Sequence, residues 1–197
     1  MEKQTKKTEK NTTAGELFFW AQALTIALAV LVCFNTFFFR LSGVRGQSME
    51  NTLFEGDQLI LQIMGYDQPE RGDIIVCYSN AFYGGEALVK RVIAVGGDVV
   101  DISDDGYMMV NGEELYEPYA KEPIRDGKRG DQAYPLTIKD DHLFVVGDNR
   151  NGSSDSRHIL LGQVDEDYLM GKAVMLLFPG TGEYSDTRDY GRIGLLK

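Results

Sequence analysis

Apolar and polar positions divide this chain of 197 residues into two regimes. Residues 17–39, LFFWAQALTIALAVLVCFNTFFF, form one apolar run without a charge, bounded by Glu16 and Arg40. A helix rising 1.5 Å per residue crosses the hydrocarbon of a bilayer with about 20 such residues, so the run predicts one transmembrane helix. A removable signal peptide has a shorter apolar core, about 7–15 residues, followed by small residues at a cleavage site. This run is longer and ends FFFR, which points to a permanent anchor. Trp20, Phe18 and Phe19 suit one membrane interface and Phe37, Phe38 and Phe39 the other.

Beyond Arg40 the period changes from helical to two. Residues 58–64 alternate and predict a strand, and the runs DIIVCY at 73–78 and ALVKRVIAV at 87–95 predict two more. Residues 99–115 predict a meander, because Asp105-Gly106 and Asn111-Gly112 are dipeptides favoured in tight hairpins. Residues 116–134 are polar and rich in turn formers, which predicts a long surface excursion. HLFVV and KAVMLLFP supply two late strands, and the tail from Gly180 onward has little periodic pattern. With 22 glycines against 5 prolines and no repeat or heptad, the expectation is a mainly β, antiparallel body. The organisation expected is a tail at 1–16, a transmembrane helix at 17–39 and one β-rich domain at 40–197.

Charge narrows the partners. The net charge is -10, while the first 16 residues hold four lysines and three glutamates, so the acid lies in the folded body. Such a body repels phosphates, and no nucleic acid partner is expected. The positive-inside bias, modest here, favours a cytoplasmic N-terminus and a domain facing outward. Cys33 lies in the apolar run and Cys77 in a predicted strand, which argues against a disulfide between them. His142 and His158 are isolated, so no metal and no cofactor are expected.

Candidate chemistry begins at Ser48. It follows Gly46, where the backbone can bend, and it lies nine positions after Phe39, within roughly 30 Å of the bilayer along an extended chain. GQSME lacks the G-x-S-x-G elbow, and neither histidine has a catalytic setting, so an ordinary triad is poorly supported. A lysine can replace histidine when burial removes its water and disfavours the ammonium form. Lys90 meets that condition by alternation, which puts Leu88, Lys90, Val92 and Ala94 on one strand face. Arg91 points the other way with Val89 and Ile93 and needs a carboxylate. Read from this stretch alone, an edge-strand lysine that guards against aggregation accounts for Lys90 equally well. The third element is GDNRNGSSDSR at 147–157, with arginines spaced to pair with Asp148 or Asp155; a polar surface turn has the same composition.

In the order GQSMENTL, RGDIIV, LVKRVIAVGGD and GDNRNGSSDSR behind one anchor, the chain resembles the type I signal peptidase family of bacteria. The resemblance implies an antiparallel, two-sheet, barrel-like catalytic domain and a serine endopeptidase that removes signal peptides from exported preproteins. It implies a Ser48–Lys90 dyad, with the Ser48 amide binding the oxyanion, Ser153 orienting Lys90, and Asp155 bracing the site through Arg157 and Arg91. Asp148 and Arg150 are structural on this reading. Val44, Met49, Leu53, Leu88 and Val89 match positions that line shallow pockets for small side chains at the first and third positions before the cut. The implied partners are secretory preproteins and the lipid bilayer, with the catalytic chain a monomer in the cell membrane. Three positions depart from the pattern: Asn51 and Gly96 stand where proline is common, and Gly46 lacks the hydroxyl that some members add to the oxyanion site. Competing readings are a self-cleaving Ser-Lys peptidase of the repressor kind, which the anchor argues against, a specialised peptidase with a few dedicated substrates, and a non-catalytic anchored β-domain.

Overall fold

A computed structural model describes residues 2–79, 85–181 and 187–196. The chain forms two compact units, residues 1–39 and residues 40–197. The first is a single helix, α1 (Glu2–Phe38), within which Ala14–Phe38 has a mean hydropathy of 2.3 and no buried face. The helix starts well before the apolar run, where the sequence predicts a separate tail. Lys, Glu and Gln are good helix formers and no proline interrupts them, so the turn pattern propagates through the polar stretch. Phe39, the last residue of the run, already belongs to a strand, as aromatic residues before a sheet edge readily do.

Twelve strands follow among the described residues: β1 (Phe39–Gly43), β2 (Gln58–Gln62), β3 (Ile74–Ser79), β4 (Glu86–Ala94), β5 (Val99–Ile102), β6 (Met108–Val110), β7 (Glu113–Glu114), β8 (Leu136–Thr137), β9 (His142–Val146), β10 (Val164–Asp165), β11 (Leu169–Phe178) and β12 (Gly194–Leu195). They make two sheets. One runs β1-β2-β11-β3-β4-β9-β10, with β12 also on β11; the other runs β7-β6-β5-β8. The registered pairs are antiparallel, as expected, and neither strand order returns on itself to close a barrel. The two-residue strands β8, β10 and β12 escape a reading by period, since two residues carry no alternation.

Local chemistry explains the joints. Asn111 (φ 55) and Gly112 (φ 83) connect β6 to β7, both left-handed, which is the twist-matched two-residue hairpin that Asn-Gly permits. The apolar run of β3 is continuous because both of its faces are covered: Ile74 and Val76 pack with Leu59 and Leu61, whereas Ile75 and Cys77 pack with Val145 and Leu143. Cys33 and Cys77 are both free thiols. On β4 the alternation fails at its end. A bulge between Val92 and Ala94 adds a residue to one strand, so Ala94 joins Ile93 in the core between the two sheets and leaves the face of Leu88 and Val92.

Residues 116–134 are irregular and are not merely surface. Ile124 is 4% exposed and packs in the same core as Phe144 and Val146. Its amide donates to the Gly106 carbonyl at 2.8 Å, and the Lys121 amide donates to the Asp148 carbonyl at 2.9 Å. Ile124 and Tyr134, ten positions apart among polar residues, give no period to read, yet both pack on this core and pin the loop to the body.

Candidate active site

Ser48 lies in the loop that joins β1 to β2. The loop is closed at its base, where the Val44 amide donates to the Asp57 carbonyl (2.8 Å) and the Gly56 amide donates to Val44 (3.0 Å). At its tip the Met49 carbonyl accepts from Thr52 and Leu53, a tight turn whose side chains Met49 and Leu53 are 1% and 0% exposed. Gly46 has φ +78, a left-handed conformation that glycine adopts without strain. Asn51, preceded by a cis peptide bond, completes the turn where the resemblance has proline. The turn leaves Ser48 half-buried, and its amide donates to no acceptor among the described residues. Its carbonyl is occupied by the Asn149 amide at 3.0 Å.

Lys90 sits on β4, between β3 and β9, opposite Ile75, and is 3% exposed. Its Nζ lies 2.8 Å from Ser48 Oγ and 3.1 Å from the Val89 carbonyl oxygen. β4 is therefore an interior strand, and the edge-strand account of this lysine does not hold. Burial pushes the Lys90 pKa down, against the pull of the Asp155 carboxylate and with the help of the Arg157 guanidinium. A neutral amine at hydrogen-bond distance from a hydroxyl accepts its proton, so the pair has the geometry of a base and a nucleophile.

The segment 147–157 packs against both residues. Arg157 forks onto Asp155, Nε to Oδ1 at 2.7 Å and Nη2 to Oδ2 at 2.9 Å, and both residues are buried. Asp155 also accepts from the Gly147 amide at 3.1 Å. Burial alone would raise the Asp155 pKa, but the bonds and charge of Arg157 hold it below the usual carboxylate range. Arg91 does not join this pair, in contrast to the arrangement the resemblance implies. It forks onto Asp148, Nε to Oδ1 at 2.9 Å and Nη2 to Oδ2 at 2.8 Å, and lies 3.9 Å over the Tyr119 ring. The register decides this, because Arg91 faces Ile74 and Val146, one residue before the Gly147-Asp148 step. Arg150 forks onto Glu117, Nη1 to Oε2 and Nη2 to Oε1, both at 2.7 Å.

Ser153 departs from expectation too. Among the described residues it makes no bond to Lys90; its Oγ is buried against Gly147 and helps to hold down the pKa of the Asp155 carboxyl. Among the predicted pocket residues, Val44, Met49 and Leu53 are 3%, 1% and 0% exposed and belong to one core cluster, so they underlie the site as packing. Leu88 and Val89 keep partial exposure. Gly96, the third departure, has the Asp140 backbone 3.1 Å from where a Cβ would stand.

Sequence reasoning missed Gly147. A Cβ there would collide with the Ser48 carbonyl oxygen and the Ser153 hydroxyl, so only glycine lets β9 pass this close to the serine loop. Gly147→Ala is expected to displace Ser48 and lower turnover by about 10²-fold, the cost of roughly 1 Å of misplacement, with substrate affinity little changed. Steady-state cleavage kinetics on the variant check this. Glu117, Tyr119 and Lys121 were missed as well, since nothing in the polar stretch marks them as partners of Arg150, Arg91 and, at 2.8 Å, Glu50.

Comparison with known proteins identifies the family. The family described as signal peptidase, peptidase S26, matches residues 17–178. A signal peptidase I from Bacillus amyloliquefaciens is 31% identical over 178 residues, covering 87% of this chain and 93% of the relative. One from Bacillus licheniformis is 33% identical over 183 residues, with coverage of 87% and 94%. Signal peptidase IB of Staphylococcus aureus is 32% identical over 180 residues, with coverage of 83% and 91%. A solved signal peptidase I from Enterococcus faecalis matches at 29% identity and a TM-score of 0.41, over 54% of this chain and 97% of that one. A family match across most of the sequence, and relatives aligned along nearly their whole length, establish that this chain belongs to the signal peptidase family, peptidase S26.

Proposed function

We propose that this chain removes N-terminal signal peptides from exported preproteins by a Ser48–Lys90 dyad at the outer surface of the membrane. The observation that carries the reading is the 2.8 Å contact between Ser48 Oγ and an Nζ whose residue is 3% exposed. Neutral Lys90 takes the Ser48 proton as Oγ attacks the carbonyl carbon before the scissile bond. The oxyanion that forms is met by the unbonded Ser48 amide. Lys90, now charged, gives its proton to the leaving amine, and then activates the water that releases the acyl group. Ser153, whose buried Oγ rests against Gly147 and beside the Asp155 carboxylate, acts in this reading as a positioning residue.

Specificity follows from packing. Val44, Met49 and Leu53 fill the space beneath the serine loop while Leu88 and Val89 stay partly exposed, and this filled space supports a preference for small side chains at the first and third positions before the cut. β1 ends the strand order of its sheet among the described residues, a position that supports adding an extended substrate by main-chain hydrogen bonds. The apolar helix Ala14–Phe38 anchors the enzyme, with its N-terminus cytoplasmic, residues 40–197 outward and the chain acting as a monomer. The Ser48–Lys90 contact favours this reading over a binding-only β-domain.

The full chain in detergent is expected to cut a preprotein after a small-x-small sequence. The rate should fall as pH drops, because burial lowers the Lys90 pKa without abolishing it and the ammonium cannot accept a proton. N-terminal sequencing of the product and a pH–rate profile test both; a rate unchanged from mildly alkaline to mildly acidic pH overturns the lysine base.

A further inference from the structure

We propose that the C-terminal segment 187–196 is a positioning clamp for the nucleophile loop, acting through Arg192. The inference rests on the reading of Ser48 as nucleophile and extends it to a part of the chain outside residues 17–178, the stretch matched by the family.

Arg192 grips the loop at three points. Its Nη1 donates to Asp57 Oδ1 at 3.0 Å while Nη2 donates to Oδ2, so the guanidinium forks onto a carboxylate that is fully buried at the base of the loop. Nη2 also donates to the Thr52 carbonyl at 3.2 Å. The guanidinium carbon lies 4.4 Å over the Phe54 ring. Asp57 completes the anchor by accepting from the Phe54 amide (2.8 Å) and the Gly180 amide (2.7 Å). A planar, always-charged fork that both pairs and stacks is a task for arginine and not for lysine.

The clamp itself is tied down. Asp189 Oδ1 caps the turn Tyr190–Arg192 through the Gly191 amide at 2.9 Å, and β12 pairs with β11, Leu195 opposite Met175. Leu196 packs on the cluster that holds Val44, Met49 and Leu53. The grip reaches the other half of the site as well, since the Thr52 hydroxyl donates to Asp148 Oδ2, the carboxylate that Arg91 holds.

Positioning is the reason such a clamp matters. The stretch 44–57 has no regular structure of its own, and a misplacement of about 1 Å at a nucleophile costs roughly 10² in rate. Removing Arg192 takes the bond from the Thr52 carbonyl and the cation from the Phe54 ring, four and six positions from Ser48, while Lys90 and its surroundings stay in place.

The experiment compares the full chain in detergent with Arg192→Gln, Arg192→Lys, the double variant Asp57→Asn with Arg192→Gln, and Arg188→Gln as the tail control. Expected results are a fall in kcat of at least about 10-fold for Arg192→Gln, with KM within about twofold and the acidic limb of the pH–rate profile unmoved. Arg192→Lys recovers part of the rate, and Arg188→Gln matches the unmodified chain. The double variant removes both charges of the pair and leaves no unpaired carboxylate buried, so it folds even if the single one does not, and it stays slow. Amide hydrogen exchange at Leu53 and Phe54 speeds up in both Arg192→Gln variants. A double variant with kcat within about twofold of the unmodified chain, or unchanged exchange at Leu53 and Phe54, overturns the clamp. Retained cleavage by Ser48→Ala would instead overturn the nucleophile reading, and the exchange measurement still reports on the clamp.

Discussion

Replacing Lys90 by methionine is expected to stop cleavage while the chain stays folded. Methionine fills a similar volume without a charge, and the amine it replaces is held unwillingly in a dry site, so the variant loses a base and no packing. Turnover should fall by roughly 10⁴-fold or more, as should that of Ser48→Ala, because the two residues act as one unit and either deletion removes the covalent route. Combining them should cost little more than one alone. Initial rates on a preprotein, with circular dichroism as the folding control, decide the matter. A Lys90→Met enzyme within about tenfold of the unmodified rate would remove lysine from the mechanism.

The second large effect is expected at Asp155. It is fully buried and holds Arg157 by two bonds, so Asp155→Ala strands an always-charged guanidinium at 1% exposure. Breaking a buried pair from one side costs about 3–5 kcal/mol, which for a domain of this size corresponds to roughly 6–20 °C in Tm. Thermal unfolding in detergent reads it. The pH dependence has a defined sign. Arg157 depresses the Asp155 pKa, so its contribution to stability is complete above the ordinary carboxylate range and is lost as pH falls through the depressed value. Asp155→Asn, which keeps the shape, has a second consequence. The Asp155 charge is the largest influence that raises the Lys90 pKa, so its removal should move the acidic limb of the rate profile to lower pH. An acidic limb that moves upward would contradict the electrostatic link between the two residues.

Much of the outline was readable because period and turn chemistry are local. The strands β2, β3, β4, β9 and β11 follow runs of alternating or β-branched residues, and the β6–β7 turn follows Asn111-Gly112. The Ser48–Lys90 encounter was foreshadowed by one local fact, the apolar neighbours of Lys90 on its strand face, together with the order of four motifs. Where alternation met a bulge, at Val92 and Ala94, the same reasoning misassigned a face, since nothing in the two residue types announces an inserted position.

By itself, then, the sequence determined an apolar helix, a mainly antiparallel β body, and a serine and a lysine whose settings suit chemistry without histidine. Tertiary structure alone decided which charges meet. Arg91 chose Asp148 over Asp155, 57 positions along the chain, through the register of β4 on β9; Arg192 reached Asp57 across 135 positions through β12 on β11. The reason is physical: a backbone element is set by neighbours a few residues away, whereas a buried charge takes whichever partner the packed strands deliver within about 3 Å, and sequence separation carries no information about that distance.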